Sequence, residues 1–334
     1  IKTVIMFRRN QILLENYKVL FEIHKTTYGH SYRVKDLESN ELYMLKVYDC
    51  TNLQEWHYTD DSKENLYEAQ IHEKIDHPNI SKFVKCEKVN IEGVDCFLYF
   101  VKFISGETLQ ERIDREGPIH YGIAYSLIEK ISHAVNHLNE NSIIHGDITP
   151  SNIMLDLSKG SIEPVLIDFG LSSFQKDAFL SFNKTMPSIF YCSDERLNGI
   201  NNLQSEIFSL GSMYYTMLHG YIPWSEHLKN REINSDSFKS DLINNRKNKL
   251  IFSGIHQINK NIKNTIIVST LCNIENRFND VNLFLESLTG NKMLADSEIK
   301  DLERSQIVSK CKGDGFAKIA GMHELKELIK KQVI

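Results

Sequence analysis

Two short segments constrain this chain more than any other feature. Residues 143–155 (IIHGDITPSNIML) place Asp147 and Asn152 beside a strand-like apolar run. Residues 165–171 (VLIDFGL) deliver Asp168 to a turn that the glycine two positions later can bend. An aspartate beside a nucleophilic hydroxyl, with an amide and a second carboxylate as Mg²⁺ ligands, is the minimum that phosphoryl transfer requires. Either segment alone also fits an ordinary turn, but the two in this order favour a phosphate site.

These segments resemble the protein kinase family, because HGDITPSN stands where that family has HRDLKPEN and the DFG tripeptide is unchanged. The resemblance implies an α+β, bilobal fold with a small antiparallel β-rich N-lobe, one key helix in that lobe, and a larger, mostly helical C-lobe. The predicted divisions are 1–16 as an N-terminal extension, 17–105 as the N-lobe, 106–288 as the C-lobe, and 289–334 as a linker and the possible start of another module.

The composition excludes several other classes of function. The 334 residues are 41% hydrophobic with a formal net charge of −5, so no basic field indicates nucleic acid or an anionic membrane as a partner. The six cysteines form no CxxC pair, which favours reduced thiols and argues against a zinc site. No apolar run approaches the roughly 18 residues of a membrane span. We therefore expect a cytoplasmic protein.

The first third of the chain reads as an antiparallel meander, with the runs YKVLFEI, SYRV and LYMLKVYD between residues 17 and 49. By resemblance, HKTTYGH stands where kinases have a glycine-rich flap over the ATP phosphates. Gly29 matches one of the three flap glycines, whereas His24 and Thr26 occupy the other two positions. An ordinary hairpin turn is the alternative interpretation.

Lys46 lies in an otherwise apolar strand, where a charged group needs a partner. The predicted partner is Glu68, on a helix predicted over residues 64–75 (ENLYEAQIHEKI). This helix follows an Asp61/Glu64 spacing suited to a capping box and turns Glu68 inward. In kinases, a strand lysine and a helix glutamate pair at these positions. The alternatives are an edge-strand lysine and a solvated helix glutamate.

The run FLYFVKFISGETL, residues 97–109, resembles the strand and hinge that join the two kinase lobes. The resemblance places a valine at the mouth of the pocket behind adenine, hinge backbone against the base, and two methionines on either side of it. A methionine in an apolar run is also ordinary core. The predicted nucleotide-binding residues are Gly29, Met44, Lys46, Val101, Lys102, Phe103, Ile104, Met154 and Asp168.

Three features of the carboxy-terminal half separate two classes of phosphotransferase. Glu195 stands at the glutamate of the kinase APE motif, and Arg277 stands at the arginine that pairs with it. Residues 206–224 resemble the long central kinase helix, with Glu206 in place of its usual aspartate. Aminoglycoside and choline kinases share HGD but lack these elements. We therefore favour a protein substrate over a small molecule.

The resemblance implies a complete set of roles for transfer from Mg·ATP. Asp147 would orient the hydroxyl of a substrate Ser or Thr, and Asn152 and Asp168 would bind Mg²⁺. Lys46, held by Glu68, would clamp the α and β phosphates. Such a site works mainly by positioning and charge stabilisation.

Several residues depart from the family pattern. Thr149 replaces the lysine of HRDLKPEN, which predicts a slow enzyme. Gly146 replaces the arginine of HRD, so a phosphate on Ser181 or Thr185 would lack its usual cationic partner. Ser188 stands at the threonine that faces the catalytic aspartate in Ser/Thr kinases. A pseudokinase that regulates without catalysis is the alternative function.

The chain ends in GFAKIAGMHELKELIKKQVI, residues 315–334. This tail resembles the opening of an AAA ATPase module, with Gly321 at its turn. The resemblance implies that the chain is the kinase part of a kinase–ATPase fusion, with an AAA ATPase domain as a partner in cis. A plain amphipathic helix with Leu325, Leu328 and Ile329 on one face is the alternative.

Overall fold

The computed structural model describes residues 6–25, 28–158, 160–177, 188–225, 236–252, 258–291 and 297–303. The chain divides into two compact units. The first comprises Ile1–Arg115 and Ser126–Thr185, and the second comprises Glu116–Tyr125 and Met186–Ile334. Within the described ranges, every helix is too short or too polar to cross a lipid bilayer.

The first unit is built on a six-stranded antiparallel sheet with the order β1-β2-β3-β4-β6-β5. The strands are β1 (Ile12–Leu13), β2 (Tyr17–Lys25), β3 (Gly29–Asp36), β4 (Leu42–Asp49), β5 (Phe83–Ile91) and β6 (Val94–Lys102). The predicted meander is confirmed, because β2, β3 and β4 are consecutive neighbours. The sheet also includes β1, from the predicted N-terminal extension.

The central strand β4 shows how this sheet separates a core from a functional face. Leu45 and Val47 are buried, at 0% and 3% exposed, and they pack with Phe100 and their neighbours in one hydrophobic cluster. Since successive side chains of a strand point to opposite faces, Lys46 and Tyr48 share the other face. The sheet therefore presents a charged residue opposite its apolar core.

Gly29 is required by the sheet itself. A Cβ atom at this position would lie 1.7 Å from the carbonyl oxygen of Val47 in the neighbouring strand, a distance that no side chain tolerates. His24 pairs with Ser31 across β2 and β3, whereas Thr26 lies outside the described residues. The glycine that resembles a flap residue thus has a separate structural reason to be there.

Helix α1 is shorter than predicted, because it spans only Tyr67–His72. Its N-cap residue Leu66 has extended backbone and makes no side-chain capping bond. Leu66 instead forms a β-bridge with Tyr58, which keeps the preceding chain extended. The predicted capping box of Asp61 and Glu64 is therefore wrong.

The rest of the first unit brings together the two segments of the sequence that predict a phosphate site, residues 143–155 and 165–171. Its strands form the small sheets β10-β9-β7 and β11-β8, with β7 (Gly106–Thr108), β8 (Ile143–Ile144), β9 (Ile153–Asp156), β10 (Glu163–Leu166) and β11 (Ser173–Phe174). In the antiparallel hairpin, Ile153 pairs with Leu166. The residue before β9, Asn152, therefore lies beside the residue after β10, Ile167, whose N–H donates to the Asn152 carbonyl at 2.9 Å.

The remaining helices are α2 (Leu109–Glu116), α3 (Tyr121–Glu140), α4 (Asp194–Leu197), α5 (Leu203–His219), α6 (Asp236–Asn245), α7 (Lys260–Ser269) and α8 (Val281–Thr289). In the second unit, α5 is buried along nearly its whole length. Gly211 allows α7 to approach it, because a Cβ atom there would lie 2.3 Å from Ser269 Oγ. Glu206 is buried in the first turn of α5.

A buried ion pair joins α4 to the segment before α8. The Arg277 guanidinium binds both carboxylate oxygens of Glu195, with Nη2 at 3.0 Å from Oε2. The arginine side chain is fully buried and Glu195 is 13% exposed. Arg277 also donates to the carbonyls of Gln204 and Cys272, at 3.1 and 3.2 Å. The predicted pairing of Glu195 with Arg277 is confirmed, and its donors are satisfied as a buried charge requires.

We expect Arg277→Met to lower the free energy of unfolding by about 3 to 5 kcal/mol, because Glu195 would keep a buried charge without its partner. Urea denaturation at neutral pH, followed by tryptophan fluorescence, measures this change. The matched control is Arg115→Met, which removes an ion pair between Glu107 and the largely exposed Arg115 and should change stability by less than about 1 kcal/mol. Equal losses in the two variants would contradict the anchoring role.

The same pair predicts an acid dependence of stability. Burial would raise the pKa of Glu195, but the Arg277 guanidinium outweighs this and lowers it below 4.5. A depressed pKa in the folded state stabilises the protein above the unfolded pKa, and this contribution disappears as the pH falls through the folded pKa. The stability difference between wild type and Glu195→Gln should therefore shrink below pH 4.5 in urea denaturation. A constant difference across that range would show that Glu195 does not titrate as described.

Candidate functional site

Lys46 is the centre of an ion-pair cluster in the first unit. Its Nζ lies 2.9 Å from Glu68 Oε1 and 2.8 Å from Asp168 Oδ1. Strand β4 supplies the lysine, α1 supplies the glutamate, and the turn after β10 supplies the aspartate. Lys46 and Glu68 are 15% and 11% exposed, whereas Asp168 is half exposed. The structure thus brings Asp168 to the predicted pair of Lys46 and Glu68, so that three predicted site residues lie together.

The charges of this cluster are mutually stabilised. Burial alone would lower the pKa of Lys46, but the carboxylates of Asp168 and Glu68 outweigh it and raise this pKa well above its usual value. In return, Lys46 lowers the pKa of Asp168, an effect that solvent weakens because Asp168 is half exposed. Lys46 is therefore protonated and Asp168 ionised at neutral pH.

Tyr48 completes the surroundings of Glu68, and the sequence analysis missed it. Its hydroxyl donates to Glu68 Oε2 at 2.7 Å, so both oxygens of that carboxylate are bound. The available signal was its spacing, because a residue two positions from Lys46 in a strand lies on the same face. A tyrosine in a strand is otherwise ordinary, and only the fold shows which helix it meets.

Asp147 and Asn152 form a second polar pair. The 3-10 helix Pro150–Asn152 turns the amide back, and Asn152 Nδ2 donates to both Asp147 O and Asp147 Oδ2, at 2.8 Å each. The carboxylate is thus oriented by its own loop. Since the Asn152 nitrogen is engaged with Asp147, its Oδ1 atom is the one that faces a prospective ligand.

His145 connects this loop to the DFG segment. It is fully buried, and burial lowers the pKa of its imidazole to about 4, so the ring is neutral. Nε2 donates to the Ile167 carbonyl at 3.2 Å, and Nδ1 accepts from the Asp147 N–H at 3.3 Å. Its ring contacts that of Phe169 edge-on at 5.0 Å. One histidine therefore bonds to the backbone of Asp147 and to that of Ile167, the residue before Asp168.

The DFG turn differs from expectation in one respect. Its left-handed residue is Asp168, with φ of 66°, rather than Gly170. The Gly170 N–H donates to Asp168 Oδ1 at 3.3 Å. A non-glycine residue in this conformation is strained by roughly 1 to 3 kcal/mol, and such strain is concentrated at functional sites. Gly146 is also left-handed, with φ of 82°, where a side chain would be strained.

The predicted adenine residues Met44, Val101 and Met154 lie on three strands of the first unit. Met44 pairs with Val101 across β4 and β6, and Met154 lies in β9 opposite Val165. Val101 is 3% exposed, whereas both methionines are partly buried. The nucleotide-binding roles remain predictions.

The hinge backbone is already partly engaged. The Lys102 N–H donates to Lys82 O at 2.9 Å, and the Phe103 N–H donates to Leu42 O at 3.1 Å. A base bound here would therefore have to use other groups of the predicted range, such as the Lys102 carbonyl and the Ile104 amide. The structure thus reduces the number of backbone groups in residues 102–104 that could bind the base.

Arg33 is a second residue of this face that the sequence analysis missed. It pairs with both Phe21 and Met44 across the sheet, so these side chains share a face with the adenine residues. Its guanidinium lies over the Phe103 ring, 4.4 Å from the centroid, and 5.6 Å from that of Phe21. A cation that contacts two aromatic rings therefore borders the hinge.

Several predicted positions lie outside the described residues. They are Thr26, Ser181, Thr185 and the tail 315–334. Ser188 is described, and its carbonyl accepts from the amides of Tyr191 and Cys192 at 3.2 and 3.1 Å. Its predicted place opposite the catalytic aspartate remains a prediction.

Comparison of the sequence with known proteins shows the family to which this chain belongs. Residues 17–303 match the protein kinase domain. The chain is 32% identical over 159 residues to serine/threonine-protein kinase PrkC of Bacillus subtilis, which is 47% of this chain and 24% of that protein. It is 26% identical over 287 residues to the probable serine/threonine-protein kinase PknB of Lactococcus lactis, which is 83% of this chain and 42% of that protein.

A plant relative extends the comparison beyond bacteria. The chain is 27% identical over 212 residues to serine/threonine-protein kinase AtPK1/AtPK6 of Arabidopsis thaliana, covering 63% of this chain and 43% of that protein. The chain thus spans less than half the length of these three relatives. The sheet, the helical second unit and the match over residues 17–303 together confirm the predicted α+β, bilobal kinase fold. The chain belongs to the protein kinase family and resembles its serine/threonine-specific members.

Proposed function

We propose that this chain transfers the γ-phosphate of Mg·ATP to serine or threonine hydroxyls of a protein. The observation that carries the proposal is the cluster in which Lys46 binds both Glu68 and Asp168, at 2.9 and 2.8 Å. A regulatory domain has no need to keep a half-exposed carboxylate and a buried ammonium together, whereas phosphoryl transfer needs both.

Four side chains of this chain have distinct parts in the proposed function. Lys46 supplies positive charge to the α and β phosphates, and Glu68 fixes its position. Asp147, oriented by Asn152, accepts a hydrogen bond from the substrate hydroxyl and aligns it for attack. Because little covalent chemistry is left to the protein, these residues act by positioning and electrostatics.

The residues present fit Mg²⁺ bound with a nucleotide. Mg²⁺ prefers oxygen ligands and is usually held by one or two protein side chains together with phosphates and waters. Asn152 offers Oδ1, because its nitrogen is engaged with Asp147, and Asp168 offers its half-exposed carboxylate. The described residues contain no cluster of three or more His, Cys, Asp or Glu side chains that could hold the ion alone. Bound Mg²⁺ would neutralise phosphate charge during transfer.

The departures from the family pattern predict a slow enzyme. Thr149 is 5% exposed and offers no positive charge to the transferred phosphate. Losing one such donor costs roughly 3 kcal/mol of transition-state stabilisation. We therefore propose a turnover below the range of about 1 to 100 per second that is typical of kinases.

Two other functions have less support from the sequence and the structure. A pseudokinase is the second candidate, supported by Thr149, Gly146 and the degenerate flap. A small-molecule kinase is less well supported, because Glu195 and Arg277 form the buried pair of protein kinases. The proposal of a protein substrate rests on that pair.

The organisation of the longer protein is also a proposal. We propose the division at residues 17, 106 and 289, followed by the start of an AAA ATPase module that would be a partner in cis. The resemblance of residues 315–334 supports it. A cytoplasmic location is supported by five cysteines that form no disulfide among the described residues, of which two are buried.

Asp147→Ala is expected to lower phosphate transfer roughly 100- to 10,000-fold, because the substrate hydroxyl loses its orienting base. Radiolabel transfer from Mg·ATP to dephosphorylated casein and to the chain itself, with intact-mass detection, measures it. The matched control is Asp114→Ala, an exposed aspartate of α2, which should retain wild-type transfer. An inactive wild-type protein that is still stabilised by Mg·ATP in a thermal shift would favour the pseudokinase.

Lys46→Met should lower kcat/KM for Mg·ATP by roughly 100-fold, because the phosphates lose their fixed cation. It should also reduce the thermal stabilisation by Mg·ATP, since the charge contributes to binding. Lys82→Met is the control, because Lys82 forms an exposed ion pair with Asp76. Unchanged kinetics in Lys46→Met would remove this lysine from the site.

A further inference from the structure

Helix α1 cannot fix its own position. It has six residues, and its N-cap makes no side-chain capping bond. Isolated helices shorter than about 12 residues are marginal in water. The position of α1, and therefore of Glu68, must be set by contacts with neighbouring elements.

The first such contact is made from β4. Glu68 Oε1 accepts from Lys46 at 2.9 Å, and Oε2 accepts from the Tyr48 hydroxyl at 2.7 Å. The two donors are two positions apart and lie on one face of the strand. Because both donors lie on β4 and each binds a different oxygen, they fix the orientation of the Glu68 carboxylate.

The second contact is made to the segment after DFG. The Tyr67 hydroxyl donates to Asp177 Oδ2 at 2.9 Å and accepts from the Phe174 N–H at 3.2 Å. Burial raises the pKa of Tyr67 to about 12, so the hydroxyl keeps its proton. Phe174 in turn pairs with Ile143 in β11 and β8. Tyr67 thus ties α1 to the strand that precedes the catalytic loop.

We propose that Tyr48 and Tyr67 are positioning residues that hold Glu68 against Lys46 without a phosphate on the segment between residues 171 and 190. The inference rests on the proposed kinase function. Gly146 offers no cation to a phosphate on that segment. The two tyrosine hydroxyls and Asp177 join the same elements through groups that are permanently present, so the ion pair forms without modification of the chain.

Hydrogen exchange tests the ties independently of activity. In the full chain, Tyr67→Phe removes one hydroxyl and should speed amide exchange in residues 172–177 about tenfold, because the Phe174 N–H loses its acceptor. Tyr121→Phe, a change at a residue that is 43% exposed, should leave that exchange unchanged. Equal exchange in wild type and Tyr67→Phe would overturn the tie.

Steady-state kinetics with dephosphorylated casein tests the positioning role. Tyr48→Phe and Tyr67→Phe should each raise KM for Mg·ATP about threefold to tenfold while KM for casein stays within about twofold, because the ties act on Lys46 through Glu68. A merely structural role would lower the melting temperature without a selective rise in KM for Mg·ATP. That result would overturn the proposal.

The regulatory part is tested with Ser181→Ala/Thr185→Ala. This variant, treated with phosphatase, should retain the wild-type kcat/KM, and a loss of about tenfold or more would overturn independence from phosphorylation. If wild type transfers no phosphate, the proposed function fails, whereas the exchange measurement still decides whether Tyr67 holds α1.

Discussion

The first unit depends on one electrostatic constraint, which is that a lysine buried in a sheet needs carboxylates around it. A lone charge away from water is costly, and Lys46 is 15% exposed. It meets this requirement with one carboxylate from α1 and one from the DFG turn. Two elements far apart in sequence must therefore converge on β4. The same convergence creates the candidate site, so its stability and its chemistry have a common origin.

The second polar pair is positioned by local geometry rather than by charge. The β9–β10 hairpin places Asn152 beside the DFG segment, and His145 bonds to the backbone of both Asp147 and Ile167. Because burial keeps this histidine neutral, it can donate from one nitrogen and accept at the other. The neutral ring therefore joins the two segments without adding a positive charge beside the proposed Mg²⁺ ligands Asn152 and Asp168.

The sequence was sufficient to predict contacts where the type of a residue alone requires a partner. A lysine in an apolar run requires an acid, and helical spacing in residues 64–75 indicated Glu68. The buried pair of Glu195 with Arg277 was predicted from its positions in the family pattern. These predictions succeeded because each concerns a group whose burial without a partner would be strongly unfavourable.

The sequence was insufficient where the outcome depends on what lies across the fold. The length of α1 was overestimated because Leu66 is taken up by a β-bridge to Tyr58, a contact that local helix propensity does not reflect. The left-handed backbone fell on Asp168 and not on the neighbouring glycine, because bonds to Lys46 and to the Gly170 N–H hold the carboxylate in place. Tertiary contacts outweighed local preference in both cases.

The contacts of α1 indicate that two departures from the family pattern, Thr149 and Gly146, would affect different properties of the site. Thr149 stands where the family pattern has a lysine that would act on the transferred phosphate, and residues 145–152 contain no lysine or arginine. Gly146 removes a charge that would act only on a phosphorylated segment. The hydrogen bonds of Tyr67 already join α1 to that segment at Phe174 and Asp177. Under the proposed function, the first substitution would therefore lower the rate of the chemical step, whereas the second would change how the site is assembled.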